Sequence, residues 1–445
     1  MLRRLVYPSR PVADANFGKE IAYTAKGKPF RLLLLGGELG ALSQARAYHC
    51  RYRVRASVLA VDEQSELAAA SMYQIRFEPN LGQDDGLVDA VNRFAALDPS
   101  PVLVSTSFDK YVLSLVNNRD RLASNVVVPY GPAQTLNLVT DKVAFARLAQ
   151  EVGMTHPRTV ILDFDGKRPP SLPSAQEIAK LGLPMIGKPA ESLRLNFLEM
   201  EGFEKVFVIS TREQLAQIVE RLQVAGFVGS FLLQQRVPGD DAQMRILTCY
   251  VNRDHEMLAA SLGHTVIEEH HPSLRGNPAV ILTGLEPGES AKQAGRLLKE
   301  LSWVGYANFD IKVDPRTGKG HFFELNPRLG RSNFYVTLSG LNPIELLAED
   351  WIGGDTSSVK LRTGTKGMYL IVPAVLALAY GHGLRLQMLR ALLACRAANP
   401  LIALRPNAAD LKRGYYMWVQ SLNELRRFHR YYPLNRQRAE REDAL

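Results

Sequence analysis

Three residues of a predicted β-hairpin have the types and spacing of a magnesium site. Asp310 stands in the segment NFDIKVD, and Glu324 and Asn326 stand in FFELNPR. Glu324 and Asn326 are two positions apart, so a strand directs both side chains to one face, which Asp310 on the paired strand can share. Mg²⁺ prefers such hard oxygen ligands and keeps room for phosphate oxygens and water. The alternative is a polar hairpin surface, which would bring two acids together at a cost in free energy unless a cation is present.

Two lysines earlier in the chain could neutralise the phosphates of a nucleotide. Lys142 follows a Thr-Asp pair that predicts a helix start, with Thr140 as the N-cap residue. Lys188 lies in the strand-like segment PMIGKP, where an unpaired ammonium in apolar surroundings would be costly. For Lys142, a solvated lysine in the first helical turn is an equal alternative.

A polar strand that ends in Pro-Gly-Asp-Asp offers groups for the rest of a nucleotide. Gln234, Gln235 and the backbone near Val237 could hydrogen-bond an adenine edge, and Asp241 could accept from ribose hydroxyls. A simple turn is the alternative for PGDD, because this composition favours turns. In this order, the lysines, the polar strand and the hairpin describe a nucleotide–magnesium site.

The elements that must carry these residues alternate between strands and helices. The segments 31–40, 54–61 and 102–105 predict a parallel α/β domain, in which strand ends line a ligand crevice. The run GGELGAL lacks the GxGxxG spacing, which disfavours a nicotinamide site. His270 and His271 are adjacent and point apart on a strand, so a loop is favoured over a metal site there.

The order of these segments resembles the ATP-grasp superfamily. The segments that carry the resemblance are TDKVAFARLAQEVG, LGLPMIGKPA, FLLQQRVPGDD and ANFDIKVDPRTGKGHFFELNPRLGRSNF. The resemblance implies a mixed α/β fold that combines a parallel N-terminal domain, a small nucleotide-lid domain and an ATP-grasp core. The expected boundaries are 1–30 for a leader, 31–132 for the N-terminal domain, 133–240 for the lid domain, 241–365 for the core with the metal site, and 366–445 for a basic helical extension.

The resemblance also implies ATP and Mg²⁺ as the bound groups, with Mn²⁺ as the alternative cation. It implies phosphate contacts from Lys142 and Lys188, an adenine hinge at Gln234, Gln235 and Val237, a ribose contact at Asp241, and metal ligands Asp310, Glu324 and Asn326. Lys188 and Arg328 would act at the reacting phosphoryl or acyl group. Arg331 could hold a substrate carboxylate with two hydrogen bonds, and a surface arginine is the alternative.

One segment departs from the superfamily pattern. Many ATP-grasp enzymes have a glycine-rich loop after the second lysine, whereas AESLRLNFLEMEGFEKVFVIS contains one glycine, so we expect a longer lid. This segment and the runs SQARAYHCRYRV and STSFDKYVLSLVNNRDRL are similar to carboxylate–amine ligases of the D-aspartate ligase type. That similarity implies ATP-dependent amide formation through an acyl phosphate, with D-aspartate added to a peptidoglycan precursor. The alternatives are a peptide ligase with another small-molecule product and a non-catalytic nucleotide-binding regulatory module.

The charge and composition of the chain limit which classes of partner are expected. Hydrophobic residues make up 46% of the chain and charged residues 22%, which excludes global disorder. Residues 381–445 hold twelve Lys/Arg and five Asp/Glu, and so carry +7 of the net charge of +9. A small carboxylic acid and an anionic amine acceptor fit this charge, while nucleic acid is disfavoured because no binding motif accompanies it. The oligomeric state is not readable.

No segment predicts a membrane span or export. The longest apolar run, 368–380, contains Pro373 and is shorter than the ~20 residues that a spanning helix needs, which leaves peripheral membrane contact as an alternative. No secretory signal is visible at the start of the sequence. The three cysteines, Cys50, Cys249 and Cys395, form no CxxC pair. A cytoplasmic enzyme with reduced thiols is therefore expected.

Overall fold

Three β-sheets organise the chain. The computed structural model describes residues 17–62, 73–190, 206–271, 274–361, 363–401 and 408–442. The sheets follow one another along the sequence, with six, four and seven strands. Each sheet is formed by strands that are nearly consecutive in the sequence. The predicted site residues are distributed over all three sheets and the segments that follow their strands.

The first sheet is parallel apart from one strand, as its buried apolar segments predict. Its order is β4-β3-β2-β5-β6, and β1 pairs antiparallel with β2. The strands are β1 (Ala22–Tyr23), β2 (Pro29–Leu35), β3 (Ala56–Ala60), β4 (Tyr73–Phe77), β5 (Val102–Thr106) and β6 (Val126–Val127). The helices are α1 (Leu39–Tyr52), α2 (Asp84–Ala95) and α3 (Asp109–Asn117). Residues 17–30 are not an irregular leader, because they contribute β1 and the buried Phe17.

Two short helices connect the first sheet to the second, α4 (Ala133–Thr140) and α5 (Lys142–Glu151). The expectation that Thr140 caps the second helix is wrong. Asp141 is the cap, and its Oδ1 accepts from the amides of Val143 and Ala144 at 2.8 and 3.0 Å. Thr140 ends α4 instead, since its hydroxyl donates back to the carbonyl of Leu136 at 3.0 Å.

The second sheet is antiparallel, with the order β7-β10-β8-β9. Its elements are β7 (Thr159–Asp165), α6 (Ala175–Leu181), β8 (Met185–Pro189), β9 (Phe207–Ile209), α7 (Arg212–Val224) and β10 (Val228–Gln235). Phe231 and Leu233 of β10 lie in the core with both helices. Because side chains alternate along a strand, Gln234 and Lys188, which pairs with Leu232, lie on the opposite face.

The third sheet has the order β15-β14-β11-β12-β13-β16-β17, and all its pairs are antiparallel except β16 with β17. Its strands are β11 (Met244–Val251), β12 (Met257–Glu268), β13 (Pro278–Leu285), β14 (Gly305–Val313), β15 (Gly320–Asn326), β16 (Met368–Leu370) and β17 (Ala397–Ala398). The associated helices are α8 (Gly288–Glu300), α9 (Phe334–Leu338) and α10 (Pro343–Ala348).

The C-terminal region packs against this sheet through its own apolar core. Its helices are α11 (Ala374–Tyr380), α12 (Arg385–Leu393), α13 (Ala408–Tyr431) and α14 (Leu434–Glu442). Phe428 and Tyr432 lie in a core with Val266 and Ile267 of β12. The region after residue 365 is not wholly helical, because it supplies β16 and β17 to the sheet. Among the described residues, no helix combines the length and the apolarity that crossing a bilayer requires.

Candidate active site

The β14–β15 hairpin brings the three predicted metal ligands to one face. Asp310 lies directly opposite Glu324, and Asn308 lies opposite Asn326. A register irregularity follows the Asp310 pair, so the alternation from Glu324 to Asn326 is undisturbed. The Asn326 amide nitrogen is 3.4 Å from Glu324 Oε1, to which it donates. The two-residue spacing thus places these oxygen groups together, while their role as metal ligands stays a prediction.

The electrostatics of the acid pair favour a bound cation. Burial, followed by the charge of Glu324, raises the pKa of Asp310 well above its usual range. Burial opposes ionisation of Glu324 as well, but the hydrogen bond with Asp310 and the charges of Lys142 and Lys188 lower its pKa. Burial and the like charge of Glu324 therefore oppose ionisation of Asp310, and a divalent cation at the pair would offset both effects.

The donor chemistry fits Mg²⁺ bound together with a nucleotide. Within the described segments, no three His, Cys, Asp or Glu side chains form a cluster that could hold a metal on its own. Two carboxylates and one amide would leave the remaining positions to phosphate oxygens and water, as is usual for Mg²⁺ in nucleotide sites.

Both predicted phosphate lysines act on this acid pair. Lys142 is the first residue of α5, directly after the cap at Asp141. Lys188 Nζ lies 5.8 Å from the centre of the Phe323 ring, on the hairpin strand that carries Glu324. Burial, and then the charge of Lys142, lower the pKa of Lys188 to about 8. Two ammonium groups held close to each other form an anion site that a phosphate would complete.

This lowered pKa predicts how ATP affinity depends on pH. Lys188 is protonated below pH 8 and neutral above it, and bound phosphate favours the charged form, so affinity should fall as pH rises through 8. We expect the KM for ATP to rise about tenfold between pH 7 and 9.5, measured by ADP release. Lys188→Arg, which stays charged, should flatten this dependence, whereas Lys180→Arg on α6 should retain it. If the KM for ATP does not change with pH in the wild type or in either variant, the assignment of Lys188 to the phosphates is contradicted.

The hinge after β10 is built from internal hydrogen bonds. Gln234 is buried, and its amide nitrogen donates to Thr159 Oγ1 at 3.1 Å. The Gln235 amide donates to the carbonyl of Arg158 at 2.8 Å. Val237 is buried as well, and the carbonyl of Gly239 accepts from Lys312 Nζ at 2.7 Å. The segment is therefore ordered against both neighbouring sheets, and its adenine contacts remain a prediction.

Asp241 has protein partners that the sequence did not indicate. Its Oδ2 accepts from the backbone amide of Glu268 at 2.9 Å and lies 2.8 Å from His270 Nε2. The His270 ring stacks on Tyr432 with centroids 3.5 Å apart and an angle of 6°. The predicted ribose-binding carboxylate is thus oriented by β12 and tied to the C-terminal region. Its contact with a ribose stays a prediction.

Glu268 is a further acid at the site that sequence reasoning missed. Burial and the charge of Asp241 raise its pKa to about 8, against the opposing charge of Lys312. Its charge also raises the pKa of Asp310. Sequence offered no signal for Glu268, because its closeness to Asp241 joins residues that are 27 positions apart and depends on how β12 is placed.

Arg328 joins the hairpin to the first sheet. Its Nη2 donates to Asp109 Oδ2 at 3.0 Å and to Asn326 Oδ1 at 3.1 Å. Asp109 begins α3, just after β5, so a polar strand end of the parallel sheet reaches the acid cluster. The crevice at strand ends was expected from the fold pattern, but the pairing of Asp109 with Arg328 was not.

Arg331 lies among acids and is not an isolated surface residue. Its side chain is 18% exposed, Nη1 donates to Glu269 Oε2 at 2.5 Å, and Nε lies 3.6 Å from Glu38 Oε2. The lid segment that departs from the superfamily pattern falls largely on residues 191–205, outside the described residues.

Comparison with curated proteins gives one long match. The sequence is 29% identical over 334 residues to the D-aspartate ligase of Enterococcus faecium, which covers 73% of this chain and 77% of that protein. It is 24% identical over 224 residues to the carbamoyl phosphate synthase large chain of Thermus thermophilus, covering 48% of this chain and 20% of that protein. No protein-family model matches the sequence.

Solved structures share the fold at low sequence identity. N5-carboxyaminoimidazole synthetase from Staphylococcus aureus aligns with a TM-score of 0.55 at 11% identity, over 76% of this chain and 81% of that one. The biotin carboxylase domain of the Hydrogenobacter thermophilus 2-oxoglutarate carboxylase, solved with ADP and MgADP, aligns with a TM-score of 0.54 at 12% identity, over 76% and 73%. These similarities confirm the predicted mixed α/β class.

Proposed function

We propose, from the premise that this chain is an ATP-grasp ligase homologous to D-aspartate ligase, that it joins D-aspartate or a related amino acid to an amine acceptor. The observation that carries the proposal is that two lysines and one arginine from different parts of the chain act on the acid pair of the hairpin and its neighbour Asn326. Glu324, which lies opposite Asp310, is within the electrostatic reach of Lys142 and Lys188. Arg328 acts on Asp310 through its charge and hydrogen-bonds Asn326. Such a cluster can hold a triphosphate and a divalent cation at once.

The reaction needs ATP because a carboxylate has no good leaving group. In the proposed first step, an oxygen of the acid attacks the γ-phosphorus, the bond to the bridging oxygen breaks, and ADP leaves. The amine then attacks the acyl carbon, inorganic phosphate leaves, and the ammonium proton is lost to solvent. Positioning and charge neutralisation are the main tasks of the protein in such a phosphoryl transfer.

Named residues would divide these tasks. Lys142 and Lys188 would neutralise the phosphates, and Lys188 with Arg328 would offset the charge that moves to the acyl phosphate. Asp310, Glu324 and Asn326 would hold Mg²⁺, or Mn²⁺, which supplies charge neutralisation to the phosphate oxygens. Asp109 holds the Arg328 guanidinium by accepting from the same nitrogen, Nη2, that donates to Asn326. Gln234, Gln235, Val237 and Asp241 would receive the nucleoside.

The proposed identity of the two substrates rests on the similarity to D-aspartate ligase and on the net charge of the C-terminal region. The match to D-aspartate ligase supports D-aspartate as the acid. The resemblance of the sequence segments to that ligase type is what suggests a peptidoglycan precursor as the acceptor. Residues 381–445 carry a net +7, which suits an anionic acceptor and also allows peripheral contact with an anionic membrane. The use of ATP and three free cysteines, Cys50, Cys249 and Cys395, support a cytoplasmic location.

A panel of acids and amines tests the proposal directly. Purified full-length protein should release ADP only when Mg²⁺, one acid and an amine are all present, with D-aspartate and L-aspartate tested side by side. Mass spectrometry of the product, with cell-wall precursors as acceptors, should show one added amino acid. ADP release with another amino acid alone would favour a different peptide product. No acid-dependent ADP release, despite ATP binding, would favour the non-catalytic regulatory module.

A further inference from the structure

A cavity of about 210 Å³ lies between helix α13 and the rest of the protein. Its walls include Leu39 at the start of α1, Glu269 and Arg331 from the neighbourhood of the acid pair, and Glu424 and Arg427 of α13. Pockets for drug-sized ligands measure roughly 300–1,000 Å³. This cavity therefore suits a smaller molecule, about the size of an amino acid.

Two ion pairs line the cavity. Arg331 Nη1 donates to Glu269 Oε2 at 2.5 Å, and Arg427 Nη1 donates to Glu424 Oε1 at 2.5 Å. The side chains of Glu269 and Glu424 are 8% and 10% exposed, so both carboxylates are largely shielded from water. A cavity with two cationic and two anionic groups complements a molecule that carries both an ammonium and a carboxylate.

Two segments of the chain connect the cavity with the candidate active site. Arg331 follows Arg328 by three residues, and Glu269 directly follows Glu268, whose charge acts on Asp310. Helix α13 is held at this place because Phe428, next to Arg427, is buried in the core that it shares with β12. A small ligand in the cavity would thus be bounded by the core and by the C-terminal region together.

We propose that this cavity binds the ammonium and carboxylate groups of the amino-acid substrate, and that helix α13 completes the binding site. The inference rests on the proposed ligase function and gives the C-terminal region a part in it. Arg331 and Arg427 hold the carboxylate through charge-assisted hydrogen bonds, and Glu269 and Glu424 accept from the ammonium. Arg427 is a substrate-binding residue in this scheme, with no role at the phosphates.

Variants of the full-length protein at neighbouring positions of α13 test the proposal. Arg427→Ala should raise the KM for the amino acid by about tenfold to a hundredfold and leave the KM for ATP unchanged. Asn423→Ala, a smaller change at another lining residue, should raise the same KM without risk to the ion pairs. Arg426→Ala is the matched control, because Arg426 is exposed and is not one of the residues that line the cavity. Circular dichroism melts confirm that each variant is folded.

The outcomes separate this proposal from the ligase function itself. Suppose that the wild type is active and that the KM for the amino acid is the same in Arg427→Ala, Asn423→Ala and the control Arg426→Ala. The proposed role of α13 is then wrong, while the ligase function stands. A rise in the KM for the amine acceptor alone would also overturn it. If the wild type shows no acid-dependent ADP release, the ligase function fails. In that case, calorimetric titration with the same amino acids tests the cavity. Binding to the wild type that is weaker in Arg427→Ala would support the cavity as the amino-acid site, and absence of binding to the wild type would overturn it.

Discussion

Glu324→Gln should lower the rate of ADP release by about a thousandfold or more and leave the fold intact. Glu324 lies directly opposite Asp310, and its pKa is lowered because the hydrogen bond with Asp310 and two lysine charges outweigh burial. The amide keeps the size of the side chain and its capacity to hydrogen-bond, but it removes the negative charge that would hold the cation. The measurement is Mg²⁺-dependent ADP release under saturating ATP and acid, together with the thermal melt.

The melt distinguishes loss of chemistry from loss of structure. The lowered pKa of Glu324 means that its charge stabilises the folded protein, so Glu324→Gln should lower the melting temperature modestly and retain a cooperative unfolding transition. Glu300→Gln, an exposed carboxylate at the end of α8, is the matched control and should keep full activity. A Glu324→Gln protein that releases ADP at the wild-type rate would show that the hairpin acids are not the cation site.

Arg328→Lys should lower kcat by about a hundredfold to a thousandfold although it keeps the positive charge. One guanidinium nitrogen of Arg328 donates to both Asp109 and Asn326, at 3.0 and 3.1 Å. The shorter reach and point charge of lysine cannot reproduce the planar group that spans the first sheet and the hairpin. The KM for ATP should change little, because the predicted phosphate contacts of Lys142 and Lys188 remain.

A second arginine on the same hairpin provides the comparison. Arg316 is 58% exposed and pairs with Asp314 in the turn, so Arg316→Lys should leave kcat unchanged. If Arg328→Lys changes kcat no more than Arg316→Lys does, Arg328 has no part at the reacting group. A large rise in the KM for ATP at constant kcat would instead reassign Arg328 to nucleotide binding.

The hairpin was predictable because its information is local. Side chains alternate along a strand, so the spacing of Glu324 and Asn326 alone determines that they share a face. The opposition of Asp310 to Glu324 does not follow from the turn alone. The register next to the turn, in which Ile311 pairs with Phe322, would place Phe323 opposite Asp310. A register irregularity between Asp310 and Ile311 shifts the pairing by one residue and brings Glu324 there instead. The same reasoning placed Lys188 on a strand, and its apolar neighbours indicated that the charge would be partly buried.

The remaining contacts join residues that are far apart in sequence. The Arg328–Asp109 pair spans 219 residues and depends on how the first sheet packs on the hairpin. The contact between His270 and Asp241 depends on the register of β12. A histidine or an aspartate in a sequence does not indicate which distant residue it will contact. Even a local choice was ambiguous at the start of α5, where Thr140 and Asp141 are both good caps. The Thr140 hydroxyl donates to the Leu136 carbonyl of α4, and the Asp141 carboxylate caps α5.

The stack of His270 on Tyr432 has a mechanical consequence. The imidazole contacts Asp241 with one edge and lies flat on the tyrosine with its face. Lifting the C-terminal tail from the body would therefore remove the ring that supports the imidazole of His270 beside Asp241, the carboxylate predicted to meet the sugar of the nucleotide. A shortened protein that ends before Tyr432 would lose this support for the imidazole, although the truncation lies far along the chain from Asp241.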